Sequence, residues 1–439
     1  MPVILQPDIN PSFIDKPVSD YDLQRLFETV IWAPSPFNSQ PWEFVVLRDK
    51  ENIKKILQAV DETDIPPNLI VVLNNTVRKD PGPNAARLGF ISVGAAIANF
   101  MFSAKYSNIG FYPVSVKYEK NHLKILQHLN VPGNMVLSCL MAAGYLEKND
   151  REIKPAKGKY YEDNLSRPKE ISLPEYSRDD INPFVLIPKR KSYRKKFLRR
   201  EVDLKHRRLL LESGLSSFMF ERTAGVELVL VDDRLRIRKL ANLIYDAAYK
   251  VHMNSGYLKK MNVWIRYSSE EKIKNADGIF IVFLNVVKGK ILKFLMWIIE
   301  EIKLFLPLKI FHYKKLSKDY FSGLVAGSPM ICVFLLKPDN SKNNLEPEDY
   351  INAGVSIQSL LLAATYCNIG AQFLSVLVDS PESRKNIDGF LNVPGDFKGE
   401  IIDILRLGYI DPGEKPRILS VSSNIRRPSE KILHKESYT

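Results

Sequence analysis

Two short stretches, far apart in the chain, hold the residue types best suited to chemistry. Residues 190–197, RKSYRKKF, place Arg190, Lys191, Ser192 and Arg194 within five positions. Guanidinium forks and a hydroxyl suit a phosphate, and in an extended stretch Arg190, Ser192 and Arg194 alternate onto one side. The same run, continued by Lys205, Arg207 and Arg208, also has the composition of a solvated basic face or a nucleic-acid patch. The second stretch, residues 33–47, reads APSPFNSQPWEFVVL and sets Pro34, Ser35 and Asn38 ahead of a strand-like run. Asn38 can both donate and accept, and Ser35 offers a hydroxyl, yet Pro, Asn and Ser also make ordinary turns.

Other chemistries find no support. The six histidines are scattered, and no H-E-x-x-H, G-x-S-x-G, Walker or G-x-G-x-x-G pattern occurs. Cys139, Cys332 and Cys367 form no C-x-x-C, so neither a cysteine metal site nor a disulfide framework is expected. The 63 Lys and Arg against 50 Asp and Glu leave a net charge of +13, which favours an anionic ligand, surface or polymer. At 439 residues, with 45% hydrophobic and 26% charged residues, two globular domains are expected. The N-terminus lacks a basic region followed by an apolar run, which reads as cytoplasmic. Residues 289–312 are apolar overall, but Lys293, Glu300, Glu301, Lys303 and Lys309 interrupt them. That pattern predicts a partly buried helix or interfacial lid and not a membrane span.

The elements that must position these residues repeat along the chain. SVGAAIANFMFSAKYSNIG (92–110) matches NAGVSIQSLLLAATYCNIG (352–370), each a long apolar helix ending in Asn-Ile-Gly, where the glycine suits a left-handed cap. LNVPG recurs at 129–133 and 391–395, Gly-Tyr at 144–145 and 408–409, and Arg-Pro at 167–168 and 427–428. The first three features keep offsets of 260 (354 − 94), 262 (391 − 129) and 264 (408 − 144), as a tandem duplication would. WEFVVLRD (42–49) pairs with VELVLVDD (226–233), and NLIVVL (68–73) with PMICVFLL (329–336), as strands. The second copy carries an insertion at about 250–325. Residues 146–187, rich in Pro and scattered charge, are expected to connect the halves over the surface.

With these motifs the chain resembles the nitroreductase family of flavoproteins. That family opens with an Arg-x-Ser-x-Arg run and a helix, followed by A-P-S-x-x-N-x-Q-P-W leading into a strand. The resemblance covers most of residues 18–150, about 186–233 and 329–430. It implies an α+β fold of two tandem nitroreductase-like domains forming a pseudo-dimer, each a mixed, largely antiparallel sheet flanked by helices. The halves would be residues 1–150 and 186–439, joined by 151–185, with the helices at 88–107 and 348–367 buried at the pseudo-twofold interface.

The resemblance also implies FMN as cofactor. Relatives bind it at a dimer interface, one subunit gripping the phosphate and the other's Pro-Ser-x-x-Asn loop meeting the ring. Aligning the strands at an offset of 184 (228 − 44) puts Gln6-Pro7-Asp8-Ile9-Asn10 opposite RKSYR, and Phe218, Met219 and Arg222 opposite Pro34, Ser35 and Asn38. Each half keeps the signature that the other has lost, so one composite FMN site is expected. Arg190, Lys191, Ser192 and Arg194 would grip the phosphate, with Arg426 and Arg427 at the family's second basic contact. Pro34, Ser35 and Asn38 would face the ring, and Gly370, Ala371 and Gln372 would offer it their backbone. An oxidoreductase passing hydride through flavin N5 by a ping-pong scheme follows from the resemblance. NAD(P)H is the expected donor, with no metal or nucleic acid, and the internal interface makes a monomer possible. The alternative is a protein that holds or sequesters FMN with little turnover. The insertion, with Trp264, Arg266 and Tyr267, is a candidate lid.

Overall fold

Two β-sheets back onto a pair of crossed apolar helices. The computed structural model describes residues 3–8, 11–78, 85–114, 116, 119–148, 157–172, 181–220, 225–253, 263–266, 274–280, 321–338, 344–375, 381–411 and 425–438. In the first half α1 (Asp20–Val30) begins at Ser19, whose hydroxyl accepts the Asp22 amide, and buries Leu23, Leu26, Phe27 and Val30. The strands β1 (Trp42–Leu47), β2 (Asn68–Asn75), β3 (Ile109–Val114) and β4 (Met135–Tyr145) alternate with α2 (Lys50–Gln58), α3 (Ala85–Tyr106) and α4 (Glu119–His128). Strands β1 and β2 are buried along their whole lengths, as near-continuous apolar runs between two layers should be.

The second half repeats the plan. After β5 (Lys157–Glu162), β6 (Lys169–Ser172) and α5 (Pro183–Lys189) come α6 (Leu204–Ser216), β7 (Gly225–Val231), α7 (Arg234–Met253) and the short β8 (Ile265–Arg266) and β9 (Ile279–Phe280). Then follow β10 (Met330–Lys337), α8 (Pro347–Tyr366), β11 (Ile369–Phe373), α9 (Pro381–Leu391), β12 (Glu400–Tyr409) and β13 (Leu433–Lys435). The sheets run β13-β1-β2-β4-β3 and β11-β12-β10-β7-β5-β6, so β1-β2-β4-β3 and β7-β10-β12-β11 are the same four-strand order. Registers agree as well. Phe44 faces Val72 as Leu228 faces Phe334, and Gly110 faces Gly144 as Gly370 faces Gly408. Even the β-bulge recurs, between Val72 and Leu73 and between Phe334 and Leu335. Both sheets are mixed and largely antiparallel; β13–β1 and β5–β7 are their parallel pairs.

The helices α3 and α8 cross where Gly94 meets Gly354. A Cβ on Gly94 would lie 2.0 Å from the Ile351 carbonyl oxygen, and one on Gly354 would lie 2.1 Å from that of Ile91. Only glycine permits backbones this close. Nearby, Gln358 donates to Asn99 Oδ1 at 2.7 Å. The stretch Ala86–Tyr106 is long and apolar enough to cross a membrane by composition, and 89% of its most apolar window is buried inside the protein.

Three expectations need correction or lie outside the described residues. The left-handed residues after α3 and α8 are Asn108 (φ 54) and Asn368 (φ 56), not the glycines two positions on. Asparagine tolerates that conformation, whereas Gly110 and Gly370 sit inside β3 and β11 against Leu146 and Tyr193, where a Cβ would clash. The connection is not purely a surface segment, because β5 and β6 extend the second sheet. There Tyr161 donates to buried Glu227 at 2.9 Å and fixes β5 against β7. Residues 289–312, Tyr267 and most of the insertion lie outside the described residues.

The halves interleave at their ends. Residues 3–6 dock on the second half: the amides of Val3 and Leu5 donate to Ser213 and Ser217, and the Phe218 amide donates to the Leu5 carbonyl. In return β13 crosses over to pair with β1.

Candidate functional site

The Pro-Ser-Pro-Phe-Asn loop gets its shape from a 3-10 turn, Pro36–Asn38, and from left-handed backbone at Phe37, Asn38 and Gln40 (φ 49 to 54). Ser35 Oγ accepts the Gln40 amide at 3.0 Å, so its hydroxyl closes the loop. The Gln40 side chain, fully buried, donates to the Ala276 carbonyl at 2.8 Å and accepts the Arg427 amide at 2.9 Å. Asn38 donates to the Ile425 carbonyl at 3.3 Å. Loop, insertion and C-terminal segment are thereby stitched together. Pro34, Ser35 and Asn38 are half-buried.

Five arginines converge around this loop, and their ion pairs sort them. Arg78 and Arg266 share Asp277, at 3.1 and 2.5 Å. Arg427 pairs with Glu43 at 3.1 Å. Arg190 has no carboxylate at ion-pair distance among the described residues. It is 6% exposed, makes one long hydrogen bond of 3.4 Å to the Trp32 carbonyl, and its Nε has no hydrogen-bond partner among those residues. Burial, together with the neighbouring Arg426 charge, pushes its pKa down to about 9. Arg426 lies over the Trp32 ring at 5.5 Å, and burial pushes it down to about 10. A buried guanidinium without a carboxylate among the described residues, and repelled by a neighbouring one, is a group whose charge an anion such as a phosphate would balance.

The other residues expected to grip a phosphate are more open. Lys191, Ser192 and Arg194 are exposed; Ser192 forms a parallel bridge with Ala371, and the Tyr193 amide donates to the Ala371 carbonyl at 2.8 Å. The 190–193 segment and the 370–372 strand therefore lie side by side. Gly370 lets the Tyr193 side chain approach to within 2.8 Å of where a Cβ would stand. The Gln372 side chain accepts from Arg406 Nε at 2.6 Å. Farther along the basic run, Arg200, Arg207 and Arg208 pair with Asp203, Asp232 and Glu212, so much of that face is neutralised locally.

Sequence reasoning missed three residues of the site. Arg406, fully buried, donates to the carbonyls of Tyr193, Lys195 and Leu324 and caps the Phe197 ring at 4.5 Å; it fixes the 193–195 backbone. Its signal was an arginine inside the apolar run DILRLGY. Glu43, an acid inside WEFVVL, gave the same kind of signal. Trp32 contributes a carbonyl and a ring face, and nothing in its sequence context marks it.

The other half shows the counterpart geometry without the charges. Gln6 donates to the Ser216 carbonyl at 2.8 Å, as Arg190 does to Trp32, and both partners are displaced by 184 residues (190 − 6 and 216 − 32). Asp8 stands where Ser192 stands, but its carboxylate accepts the Phe111 amide at 2.8 Å. The amides of Met219 and Phe220 are taken by Asn352 Oδ1. An uncharged amide stands where Arg190 does, and an acid where Ser192 does.

Residues 12–68 and 61–145 match the Nitroreductase family. That match makes residues 12–145 nitroreductase-like. One curated relative, from Archaeoglobus fulgidus and provisionally named NADH dehydrogenase/NAD(P)H nitroreductase, is 27% identical over 162 residues, 36% of this chain and 90% of its own length. Solved structures similar to this nitroreductase-like chain include an FMN-dependent nitroreductase from Clostridium difficile, at 18% identity with a TM-score of 0.28, covering 32% of this chain and 83% of that one. Another, from Parabacteroides distasonis and provisionally named NADH dehydrogenase/NAD(P)H nitroreductase, is 20% identical with a TM-score of 0.29, covering 32% and 82%.

Proposed function

We propose that the protein is an FMN-dependent oxidoreductase built as a tandem pseudo-dimer, with one composite FMN site between its halves. The observation that carries the reading is buried Arg190, unmatched by a carboxylate among the described residues, near Arg426 and reaching the Trp32 carbonyl of the opposite half. Support comes from the family match, from the FMN dependence named for one similar structure, and from the NAD(P)H named for the curated relative. When bound, FMN supplies hydride transfer at its N5. Arg190 and Arg426 would hold its phosphate as forked donors, with Ser192 a candidate hydroxyl donor. The 34–38 loop, closed by Ser35 and Gln40, would meet the ring. Gly370–Gln372 of β11 would offer it backbone groups. Two substrates would visit the same face in turn, giving ping-pong kinetics, with NAD(P)H as first donor. No metal takes part in the scheme, one chain suffices, and the protein acts in the cytoplasm.

The test is an anaerobic titration of the FMN-loaded protein with NADH and with NADPH, following the visible flavin band. Bleaching within seconds by either donor is expected. Bound flavin that neither donor bleaches would make the protein a holder of FMN and not an oxidoreductase using these donors.

A further inference from the structure

We infer that the buried Glu43–Arg427 pair is a latch that fixes the C-terminal strap and so positions Arg426 beside Arg190; the inference rests on reading those two arginines as the phosphate grip. Arg426 and Arg427 are neighbours in a stretch without regular structure, and their side chains have different partners. Arg426 lies over the Trp32 ring near Arg190, while Arg427 pairs with Glu43 of β1.

Anchoring there is dense. Arg427 donates to Glu43 Oε1, to the Lys431 carbonyl at 2.8 Å and to the Gln40 carbonyl at 3.3 Å. Glu43 also receives Asn75 on Oε1, and His434 and Tyr438 on Oε2 at 3.3 and 2.6 Å. Both His434 and Tyr438 belong to the strap and stack at 4.1 Å. Burial alone would raise the Glu43 carboxyl, but these donors and Arg427 hold it at about 2, so the latch stays charged throughout the physiological range. The strap's backbone is held by a three-residue parallel register on β1 and by the Tyr438 amide, which donates to the Leu129 carbonyl. Glu43 gathers side chains from both ends of residues 427–438.

Neither latch residue touches the proposed phosphate position, so each acts as a positioning residue, and the cycle through Arg426 tests that. FMN affinity is measured by fluorescence quenching on the full chain, with hydrogen exchange followed over residues 425–438. Arg427→Met and Glu43→Gln are each expected to weaken FMN by about tenfold or more, as loss of one partner of a buried pair does, and to speed exchange across the strap. Arg426→Ala should weaken binding similarly. In the Arg426→Ala background, Arg427→Met should add less than about twofold, because the strap has nothing left to position. Wild-type affinity in Arg427→Met and Glu43→Gln, or losses that multiply in the double variant, would overturn the latch while leaving the FMN reading standing. No FMN binding by the wild type would overturn both. Glu43→Gln keeps side-chain shape and one acceptor oxygen while removing the charge, so it decides the matter should Arg427→Met not fold.

Discussion

Arg190 is a residue whose value to the ligand-free fold and to the ligand have opposite signs. Its guanidinium is held well below its usual pKa by burial and by Arg426, so below about pH 9 the charged form is a standing cost in the ligand-free protein. Arg190→Met should therefore stabilise the flavin-free protein at pH 7.5 by ~1–3 kcal/mol, as apolar replacement of buried charge does, while weakening FMN by about a hundredfold. Parallel denaturant melts and FMN titrations check this; a variant that loses flavin and also destabilises the apoprotein would contradict it. Asp403 gives a second case. It lies buried at the β12 bulge, accepting from Ser375 and the Ile404 amide, and burial pushes it up to about 7. Between about pH 4 and 7 the folded state binds the extra proton, so stability falls as pH rises across that window. Asp403→Asn keeps both hydrogen bonds and should stabilise by ~3 kcal/mol at pH 8, with the gain vanishing near pH 4; melts at the two pH values decide it.

The helix crossing is where one methyl group matters most. At Gly94 and Gly354 the obstructing atoms are backbone carbonyls of the opposing helix, which cannot rotate aside. Gly94→Ala should cost ~3 kcal/mol by overpacking, whereas Gly133→Ala, with nothing within 4 Å of the new Cβ, should stay within about 0.5 kcal/mol. Chemical denaturation of the two variants side by side makes the comparison. Both long helices were readable from sequence because apolar runs with small residues recur at a fixed offset, and β1, β2, β7 and β10 were readable because their β-branched runs recur with them. Strands β5 and β6 were not: KGKYYE and KEIS are short and rich in Lys and Glu, and the partner of the Tyr161 hydroxyl, Glu227 on β7, is remote in sequence. The caps were misread for a related reason. Asn108 and Gly110 both suit unusual backbone, and only the packing of Leu146 against Gly110 says which needs it for φ and which for space.

At the scale of the whole molecule, the chain exchanges its ends so that neither half is complete without the other. Residues 3–6 lie on α6, and β13 lies on β1. The exchange is symmetric in backbone, with Gln6 to Ser216 mirroring Arg190 to Trp32, and asymmetric in charge. That asymmetry was legible, since RKSYR and QPDIN differ in type at aligned positions. The sorting of the arginines was not, because adjacent Arg426 and Arg427 look alike until Glu43 claims one of them. The central claim is that one of two geometrically related places holds flavin. It is tested most directly by saturating the purified chain with FMN, removing excess, and quantifying the flavin released by heat per chain. One FMN per chain is expected, falling to near zero in Arg190→Met and unchanged in Asp8→Ala. Two per chain, or none, would contradict the composite single site.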